Sequence, residues 1–570
     1  MIIQGKVGFV TGGAQGIGRA ICEALLQKGA KVIIADIDAA KGKLTASELA
    51  TEYADNITFI ECDVTNQESV EDALGKAKDT YGRLDIIGNN AGAMMENDPI
   101  GTINLNLCGV MRVAAVAMGY MRADKGGSSG VIVNTASYAG LMPFATCPAY
   151  CASKYGVVGF TRSFALSQDY DLHKVRMVCL CPGMVDTSLL SHLSEEGEKD
   201  GFILSYEEVK DVVNKPLKPS AVADVFIDLV EDESKNGAAM LITLEGPPRD
   251  IEFPCIVFGF FSQVKHSTRQ RFTGTYPCLT VLRKSSLRKG TVLCIRFGSI
   301  GNYLQDTEVH DTMIIQDKVA FVTGGAQGIG RAICEALLKK GAKVIIADIN
   351  VTEGKSTASE FATEYADNVT FIECDVTNQE SVEDAFRKAN DKYGRVDIIG
   401  NNAGALMEND PIGTINLNLC GEMRVAAVAM RYMRADKGGG GGIIINMASY
   451  CGIMPYFACP SYCASKYGIV GFTRSIAMSP DFDVHKVRMN CLCPDTVDTA
   501  LVRRVSKEGE KKGFIFHYDH VKDAANQPML KPPAVADVFI DLVEDESKNG
   551  AAVLIPRKGP PRDIEFPVYQ

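Results

Sequence analysis

The sequence lacks an excess of positive charge and lacks any long apolar run. Its 70 acidic residues outnumber its 59 lysines and arginines, which gives a formal net charge of −11 at pH 7. That balance argues against a protein that binds nucleic acid or anionic membranes through charge. No run of about 18 apolar residues occurs, so we predict no membrane span. The first residues also lack the basic and apolar regions of a secretory signal, so we expect a cytoplasmic protein.

Recognisable metal-binding motifs are missing as well. The 18 cysteines are spread along the chain and recur at matching points of its two halves, as at Cys22 and Cys334. We interpret them as reduced, buried residues that behave as small hydrophobes. We predict no metal site, because three close pairs lack the further ligands that an ion needs: Cys179 with Cys181, Cys491 with Cys493, and His517 with His520.

What the sequence does contain is a long internal repeat. Residues 1–36 and 313–348 match at 33 of 36 positions, and the match continues at an offset of 312 and then 313. A repeat of this length is a duplication of a whole domain. We therefore predict a first copy at residues 1–254, a linker at residues 255–312 and a second copy at residues 313–570. Such a linker is long enough to let the copies pair within one chain, and a homo-oligomer is the alternative.

Each copy alternates short β-branched runs with helical stretches. In the first copy the pattern predicts a helix at residues 17–28, and strands at residues 7–10, 31–35, 57–61, 84–88, 131–135, 177–180 and 239–243. Apolar strands that alternate with helices predict a parallel sheet covered on both faces. The predicted fold class is therefore α/β, with two Rossmann-type doubly wound domains in tandem.

A glycine-rich segment follows the first predicted strand. Glycines at a strand-to-helix turn let the backbone approach a pyrophosphate, which the free N–H groups of the helix N-terminus then hold. Asp36 ends the second strand, where a carboxylate accepts hydrogen bonds from the ribose hydroxyls of NAD and disfavours NADP. No basic residue stands beside it in the sequence. The alternative is that Asp36 only caps the next helix.

Four polar residues in each copy predict the catalytic chemistry. In the first copy they are Asn106, Ser137, Tyr150 and Lys154, and in the second they are Asn418, Ser449, Tyr462 and Lys466. The tyrosine and lysine are four residues apart, which places them on one helix face. A charge pair at roughly 4 Å is worth about 4 kcal/mol, so the lysine should bring the tyrosine pKa down by about 3 units.

These residue types suit the oxidation of an alcohol. A tyrosine with a lowered pKa serves as general base, and the serine hydroxyl holds the substrate oxygen. The asparagine positions a water behind the lysine and extends a proton path. For the tyrosine–lysine pair alone, the alternative is an ordinary solvated helix face.

The sequence resembles the short-chain dehydrogenase/reductase family along both copies. The resemblance is carried by the Thr-Gly-x-x-x-Gly-x-Gly loop from Thr11, the Asn-Asn-Ala-Gly segment from Asn89, and the Ser and Tyr-x-x-x-Lys residues above. It implies seven-stranded Rossmann-type domains that pair through two long helices near the active site. It also implies NAD as cofactor, and a secondary alcohol on a lipid-like molecule as substrate.

The loop, the strand ends and this resemblance together predict the cofactor contacts, which match between the copies. In the first copy they are Gly12, Gln15, Gly16, Ile17, Gly18, Asp36, Ile37, Asp63, Val64, Asn90, Ala91, Gly92, Pro182, Gly183, Val185 and Thr187. In the second copy they are Gly324, Gln327, Gly328, Ile329, Gly330, Asp348, Ile349, Asp375, Val376, Asn402, Ala403, Gly404, Pro494, Val497 and Thr499.

The chain departs from the family pattern at a few positions. Cys147 and Cys459 stand where related lipid-alcohol enzymes carry a glutamine that helps to hold the substrate hydroxyl. Asp495 replaces the glycine found at Gly183, which costs cofactor affinity if the position needs a positive φ. Val178 stands in the first copy where the family favours the asparagine seen in the second. On balance we predict that the first copy is the more active.

Substrate contacts are expected at the carboxyl edge of the sheet. The candidates are Tyr138, Met142, Phe144, Cys147, Met184 and Cys459, with Met94, Met95 and the apolar residues of 188–206. A pocket lined in this way is apolar and adaptable, which favours a hydrophobic alcohol or ketone. The alternatives are a steroid or small-carbonyl oxidoreductase, and an NAD-binding scaffold or sensor with little turnover, chiefly through the second copy.

Overall fold

The computed structural model describes residues 1–189, 216–251, 312–503 and 527–566. The strands of the first copy are β1 (Val7–Thr11), β2 (Lys31–Asp36), β3 (Ile57–Glu61), β4 (Ile86–Asn89), β5 (Gly130–Thr135), β6 (Val175–Pro182), β7 (Ala239–Ile242) and β8 (Arg249–Asp250). The second copy repeats them as β9 (Val319–Thr323), β10 (Lys343–Asp348), β11 (Val369–Glu373), β12 (Ile398–Asn401), β13 (Gly442–Met447), β14 (Val487–Pro494), β15 (Ala552–Ile555) and β16 (Arg562–Asp563).

The two sheets have the same topology. The strand order is β3-β2-β1-β4-β5-β6-β7-β8 in the first copy and β11-β10-β9-β12-β13-β14-β15-β16 in the second. Seven strands of each sheet are parallel, and the last runs antiparallel to its neighbour. The predicted doubly wound fold is confirmed, while the implied count of seven strands omits this two-residue edge strand. Because the strand order reverses between β1 and β4, a ligand crevice opens there at the carboxyl ends.

Helices cover both faces of each sheet. In the first copy they are α1 (Gly16–Gln27), α2 (Ala39–Tyr53), α3 (Gln67–Tyr81), α4 (Pro99–Ile103), α5 (Gly109–Met121), α6 (Pro148–Ala165), α7 (Tyr170–His173) and α8 (Pro219–Glu231). In the second they are α9 (Gly328–Lys339), α10 (Val351–Tyr365), α11 (Gln379–Tyr393), α12 (Pro411–Ile415), α13 (Gly421–Met433), α14 (Pro460–Ala477), α15 (Phe482–His485) and α16 (Pro532–Glu544).

Local sequence explains why these elements form and end where they do. All five residues of β1 are buried, as expected for a strand covered on both faces. Helix α1 buries a stripe that includes Ile21, Leu25 and Leu26, which recur at helical spacing. Helix α3 begins after Asn66, whose side chain accepts a hydrogen bond from the Ser69 N–H, and it ends at the left-handed Gly82.

One helix among the described residues has the length and composition of a membrane span. It is Pro99–Met121, with a mean hydropathy of 1.4 over its most apolar window. The absence of a continuous apolar run therefore did not exclude such a helix. Since 61% of that window is buried inside the fold, the helix has the character of a core helix.

The two copies contact each other through the helices that contain their candidate catalytic tyrosines. Helix α6 packs along α14, and one apolar core runs from the first copy into the second. A side chain at Gly159 would approach Tyr467 within 2.6 Å, and one at Gly471 would approach Tyr155 within 2.7 Å. Each glycine thus receives a tyrosine from the other helix, as in a two-fold symmetric interface.

Polar contacts also cross this interface. Arg474 donates to the Tyr155 hydroxyl at 3.0 Å, and the Tyr456 N–H donates to Ser163 Oγ at 3.3 Å. The structure therefore has the pairing of copies that the linker length allowed. Assembly of whole chains into a homo-oligomer stays a prediction.

Several predictions fall outside the described residues. They concern the domain boundaries at residues 254 and 255, most of the linker, residues 190–206 and the pair His517 and His520. The last linker residue, Thr312, already forms a bridge with Asp545 of the second copy. The fifteen described cysteines are free, and all but Cys451 are buried.

Candidate active site

The glycine-rich loop forms a close-fitting cradle at the crevice between β1 and β4. Gly12 and Gly16 have φ of +62° and +55°, a backbone region that favours glycine. A side chain at Gly12 would come within 2.9 Å of the Ala91 backbone, and one at Gly18 would collide with the Gly12 carbonyl. Helix α1 begins at this loop with no side-chain cap, so its N–H groups face the crevice. The cradle fits a dinucleotide pyrophosphate.

The segment after β6 closes the cradle from the opposite side. The Gly183 N–H donates to the Ile242 carbonyl at 2.8 Å, and Val185 forms a bridge with Leu217. A side chain at Gly16 would meet the Thr187 methyl at 3.2 Å. The structure therefore brings the predicted residue Thr187 against the loop, at the end of the segment that also contains Pro182, Gly183 and Val185.

Asp36 lies at the edge of this crevice with both carboxylate oxygens engaged by backbone. It accepts hydrogen bonds from the Ala14 and Asp38 N–H groups, each at 3.0 Å. The alternative of a helix cap is wrong, because helix α2 is capped by Asp38, which accepts from the Lys41 N–H. The neighbouring Ile37 is 65% exposed, an apolar side chain suited to stack on a base.

A cation lies against the glycine loop in the first copy. Lys41 Nζ donates to Gln15 Oε1 at 2.8 Å, and Gln15 is part of that loop. The second copy has Glu353 at the matching position, while Asp348 keeps the same backbone hydrogen bonds as Asp36.

The predicted residues at the ends of β3 and β4 share this edge of the sheet. Thr11 Oγ1 accepts hydrogen bonds from the Asn90 and Ala91 N–H groups at 2.9 and 3.0 Å, which ties β1 to β4. Asp63 and Val64 follow β3 after one residue, Cys62. The second copy repeats the same tie with Thr323, Asn402 and Ala403.

The predicted catalytic residues converge at the carboxyl ends of β4 and β5. Lys154 Nζ lies 5.4 Å from the centre of the Tyr150 ring and donates to the Thr135 carbonyl at 2.9 Å. Tyr150 also shares a side-chain hydrogen bond with Ser137. In the second copy Lys466 lies 5.6 Å from the Tyr462 ring. Both sets of residues are assembled around one point of each crevice.

Asn106 is positioned by a local widening of its helix. A π-helical turn, Asn104–Cys108, joins α4 to α5, and Asn416–Cys420 does so in the second copy. Asn106 Nδ2 donates to the Ala93 carbonyl at 2.7 Å and to Ser153 Oγ at 3.1 Å, while its Oδ1 accepts from the Ala93 N–H. The side chain thus clamps the loop after β4, and its predicted role with water stays a prediction.

The expected lowering of the tyrosine pKa is wrong for the protein's own residues. Burial raises the pKa of Tyr150 well above its ordinary value, and the hydrogen bond with Ser137 only partly opposes this. Burial also lowers the pKa of Lys154 to about 8, so this lysine loses its charge closer to neutral pH than an exposed lysine does. The tyrosine pKa differs from the expected one because burying a phenolate is costly.

A buried carboxylate that the sequence did not single out holds the start of the catalytic helix. Glu96 accepts hydrogen bonds from the Ala149 and Tyr150 N–H groups at 3.0 and 2.8 Å. Burial raises the pKa of Glu96 to about 7, against these two hydrogen bonds. Glu408 holds Tyr462 in the same way. The only sequence signal is that the glutamate recurs in both copies, 52 residues before the first residue of the helix it holds.

A second buried carboxylate occurs in the second copy alone. Glu422 Oε1 lies 3.6 Å from Lys466 Nζ, and both side chains are at most 3% exposed. Among the described residues, neither Glu422 carboxyl oxygen has a hydrogen-bond partner. Burial raises the pKa of Glu422 and lowers that of Lys466, while the attraction between the two groups opposes both shifts. The first copy has Val110 at this position.

The two positions that led us to rank the copies have structural explanations. Gly183 does not adopt a positive φ, and a side chain there would meet nothing nearer than 3.4 Å, so Asp495 is accommodated. Asp495 instead pairs with Arg557 at 3.0 Å. Asn490 is fully buried and bonds the Lys548 carbonyl and the Ala551 N–H, which is a structural role. Asp495 therefore does not meet the positive φ or the close backbone approach that would have made it costly.

Part of the predicted substrate lining surrounds the candidate base. Met94 and Phe144 pack on the small cluster that contains Cys147 and Tyr150. Tyr138 contacts Phe144 edge to face, with ring centres 5.7 Å apart. Met142 and Met184 are half-buried at the same end of the sheet. The side of the crevice around Tyr150 is therefore apolar, as predicted.

Comparison with known proteins identifies the family. Residues 6–198 and 318–510 each match the family described as short chain dehydrogenase, and together they make up more than half of the chain. The chain belongs to the short-chain dehydrogenase family. It is thus a tandem duplicate of a domain from an oxidoreductase family.

Among the family members similar to this chain is 15-hydroxyprostaglandin dehydrogenase (NAD(+)) of Homo sapiens. It is 44% identical over 245 residues, which cover 43% of this chain and 92% of that protein. The peroxisomal hydratase-dehydrogenase-epimerase of Neurospora crassa is 26% identical over 549 residues, 90% of this chain and 56% of that protein. The solved structure of gox2181 is 30% identical, with a TM-score of 0.37, and covers 42% of this chain and 95% of that chain.

Proposed function

We propose that the protein oxidises a secondary alcohol on a hydrophobic, lipid-like substrate, with NAD as cofactor. The observation that carries the proposal is the convergence of Ser137, Tyr150 and Lys154 beside the glycine cradle, repeated by the second copy. The chain's likeness to a relative whose name includes 15-hydroxyprostaglandin and NAD(+) supports the substrate class and the cofactor.

Each side chain has a defined role in this proposal. The serine hydroxyl holds the substrate oxygen, and the tyrosine accepts the hydroxyl proton. The lysine, fixed on the Thr135 carbonyl, favours the phenolate and reaches toward the cofactor ribose. NAD, when bound, supplies the hydride acceptor and a positive charge that favours the phenolate. The buried crevice excludes water from the proton transfer.

The cofactor preference follows from the acids at the end of the second strand of each copy. Asp36 and Asp348 are held by backbone N–H groups in the same orientation. A fixed carboxylate there accepts hydrogen bonds from ribose hydroxyls and repels a 2′-phosphate. We therefore expect NAD to be preferred to NADP in both copies.

Turnover assays with single and double tyrosine variants test this function. The purified full chain is given NAD or NADP together with hydroxy fatty acids, hydroxysteroids or small secondary alcohols, and NADH formation is followed. We expect NAD-linked oxidation of a hydrophobic alcohol. Tyr150→Phe and Tyr462→Phe should each remove the contribution of one copy to the rate of NADH formation. In the double variant that rate should fall at least about a hundredfold.

The same assay decides between the alternatives. Preference for hydroxysteroids over other hydrophobic alcohols would move the substrate class to steroids. Tight NAD binding with no turnover of any alcohol would favour the scaffold or sensor. Activity that survives in the double variant would rule out the tyrosines as the bases.

A further inference from the structure

Three cysteines converge beside the candidate active site of the second copy. Cys451 lies in the turn directly after Ser449, Cys459 immediately precedes helix α14, and Cys463 lies in its first turn next to Tyr462. Their sulfur atoms all lie within 4.8 Å of one another. We call these three residues the thiol cluster.

The thiol cluster has no equivalent in the first copy. Cys147 and Cys151 match two of its members, and their sulfurs are 3.9 Å apart. The third position is Ala139, which is buried beside them. The two sites therefore differ by one thiol on an otherwise shared backbone, so the first copy is a built-in control.

The spacing of the sulfurs is close to that of a thiolate metal site. Zinc–sulfur bonds are about 2.3 Å long, which places the sulfurs of a tetrahedral site about 3.8 Å apart. The sulfurs of the thiol cluster would need to move by only about 1 Å or less to bind one ion. Small rotations of the side chains suffice for a shift of this size.

The surroundings of the thiol cluster favour a bound cation with an open position. Cys459 and Cys463 are buried, which limits exchange with solvent, while Cys451 is part-exposed and provides an entry path. Three thiolates on a divalent ion leave one net negative charge, and a negative charge on Cys451 is among the influences that raise the pKa of Lys466. Ser449 Oγ accepts a hydrogen bond from the Cys451 N–H at 3.2 Å, so an oxygen atom that could bind the ion also lies close to Cys451.

We propose that the thiol cluster of the second copy binds a divalent thiophilic cation of the Zn²⁺ type through three thiolates. Each sulfur loses its proton to solvent as its bond to the ion forms, so three protons leave for each ion bound. A fourth position stays open on the Cys451 side, next to Ser449 and Tyr462. The first copy, with two thiols, does not form this site.

Cadmium titration of the fully reduced, metal-free full chain tests the proposal, because cadmium–thiolate bonds absorb in the ultraviolet. We expect a tight phase of this absorption that zinc competes away. Cys451→Ala introduces the residue that the first copy has, and it should lower the cadmium affinity of that phase by about a hundredfold or more. Even mutation of residues that only contact metal ligands lowers metal affinity by about 10- to 100-fold. The reverse variant, Ala139→Cys, should add a second tight phase of equal size.

The outcomes separate this site from the other cysteines of the chain. Cadmium absorption that is unchanged in Cys451→Ala would overturn the proposal, as would the absence of any tight phase. A disulfide at Cys451 in protein isolated without reductant, found by peptide mapping, would also overturn it in favour of a redox pair. Because the readout needs neither NAD nor an alcohol, failure of the proposed dehydrogenase activity would leave this test intact.

Discussion

The two copies have the same backbone fold and the same candidate catalytic residues, and they differ in the charged groups and thiols around those residues. The glycine loop, the Asn90 and Asn402 ties and the buried caps Glu96 and Glu408 are the same in both. The second copy adds a buried carboxylate beside its lysine, a third thiol beside its tyrosine and an ion pair near the end of its sixth strand. The duplication has thus kept the scaffold constant while changing the electrostatics of one site.

The comparison also shows which substitutions matter. Asp495 looked damaging in the sequence, yet the backbone accepts it and Arg557 pairs with it. Glu422 passed unnoticed in the sequence, yet it lies 3.6 Å from the lysine of the catalytic set. A substitution near a motif is therefore a weaker indication of altered function than a charge placed next to a buried charge.

The largest expected effect comes from the glycine cradle. Gly18→Ala places a methyl group against the Gly12 carbonyl, and Gly330→Ala does the same at Gly324 in the second copy. Because the collision is with backbone, we expect NAD affinity in the altered copy to fall at least about a hundredfold, roughly 3 kcal/mol. Calorimetric titration with NAD should then show half of the wild-type sites. Gly119→Ala, at an exposed position of helix α5 where a side chain would meet nothing within 4 Å, is the control, and wild-type stoichiometry in Gly18→Ala would contradict the assignment.

A smaller effect is expected from the buried carboxylate of the second copy. The Glu422 carboxylate lies 3.6 Å from Lys466 and opposes the lowering of the lysine pKa by burial. Lys466 should therefore keep the charge that favours the phenolate to a higher pH than it would alone. Glu422→Val should move the loss of the second copy's rate at high pH to lower pH by about one unit, since one unit corresponds to about 1.4 kcal/mol. The measurement is the pH–rate profile in a Tyr150→Phe background.

The reverse substitution is the matched control for that shift. Val110→Glu, made in a Tyr462→Phe background, should move the profile of the first copy to higher pH. Profiles that stay in place in both variants would show that this carboxylate does not influence the catalytic lysine.

Cofactor preference should differ between the copies by a few-fold. Lys41 lies on the glycine loop of the first copy, where the second copy has Glu353. A cation near the adenosine ribose favours a 2′-phosphate, so the first copy should discriminate less against NADP. Lys41→Glu should raise its NAD-over-NADP ratio by about three- to tenfold, the effect of about 1 kcal/mol. A ratio that does not change would place Lys41 outside the reach of the cofactor.

The smallest effect is expected at the position that first suggested a weaker second copy. Gly183→Asp adds a side chain where the backbone has no positive φ and the nearest atom is 3.4 Å away. Leu244 matches Arg557 of the second copy, so Leu244→Arg supplies the arginine that pairs with the new aspartate. In this double variant the NAD affinity of the first copy should change by less than about threefold, under 1 kcal/mol. Calorimetry on the double variant checks this. A larger loss would restore our original ranking of the copies.

Much of this protein was determined by the sequence itself, because the features concerned are local or periodic. The repeat at an offset of 312 appears when the sequence is compared with itself, while the alternation of strands and helices and the glycine loop depend on residues close in the chain. Tyr150 and Lys154 share a helix face by their spacing alone. Parallel strands bring their carboxyl ends to one edge, so Ser137 and Asn90 could also be placed.

Only the tertiary structure decided the features that join distant residues through burial. Glu96 reaches Tyr150 across 54 positions and Glu408 reaches Tyr462 likewise, with no periodicity to reveal the contact. Glu422 meets Lys466, and Cys451 meets Cys463, because a helix and a turn pack at the same crevice. The pKa of Tyr150 also follows from burial, which no sequence pattern measures. Long-range packing sets these charges and distances, so their consequences emerge only once the chain is folded.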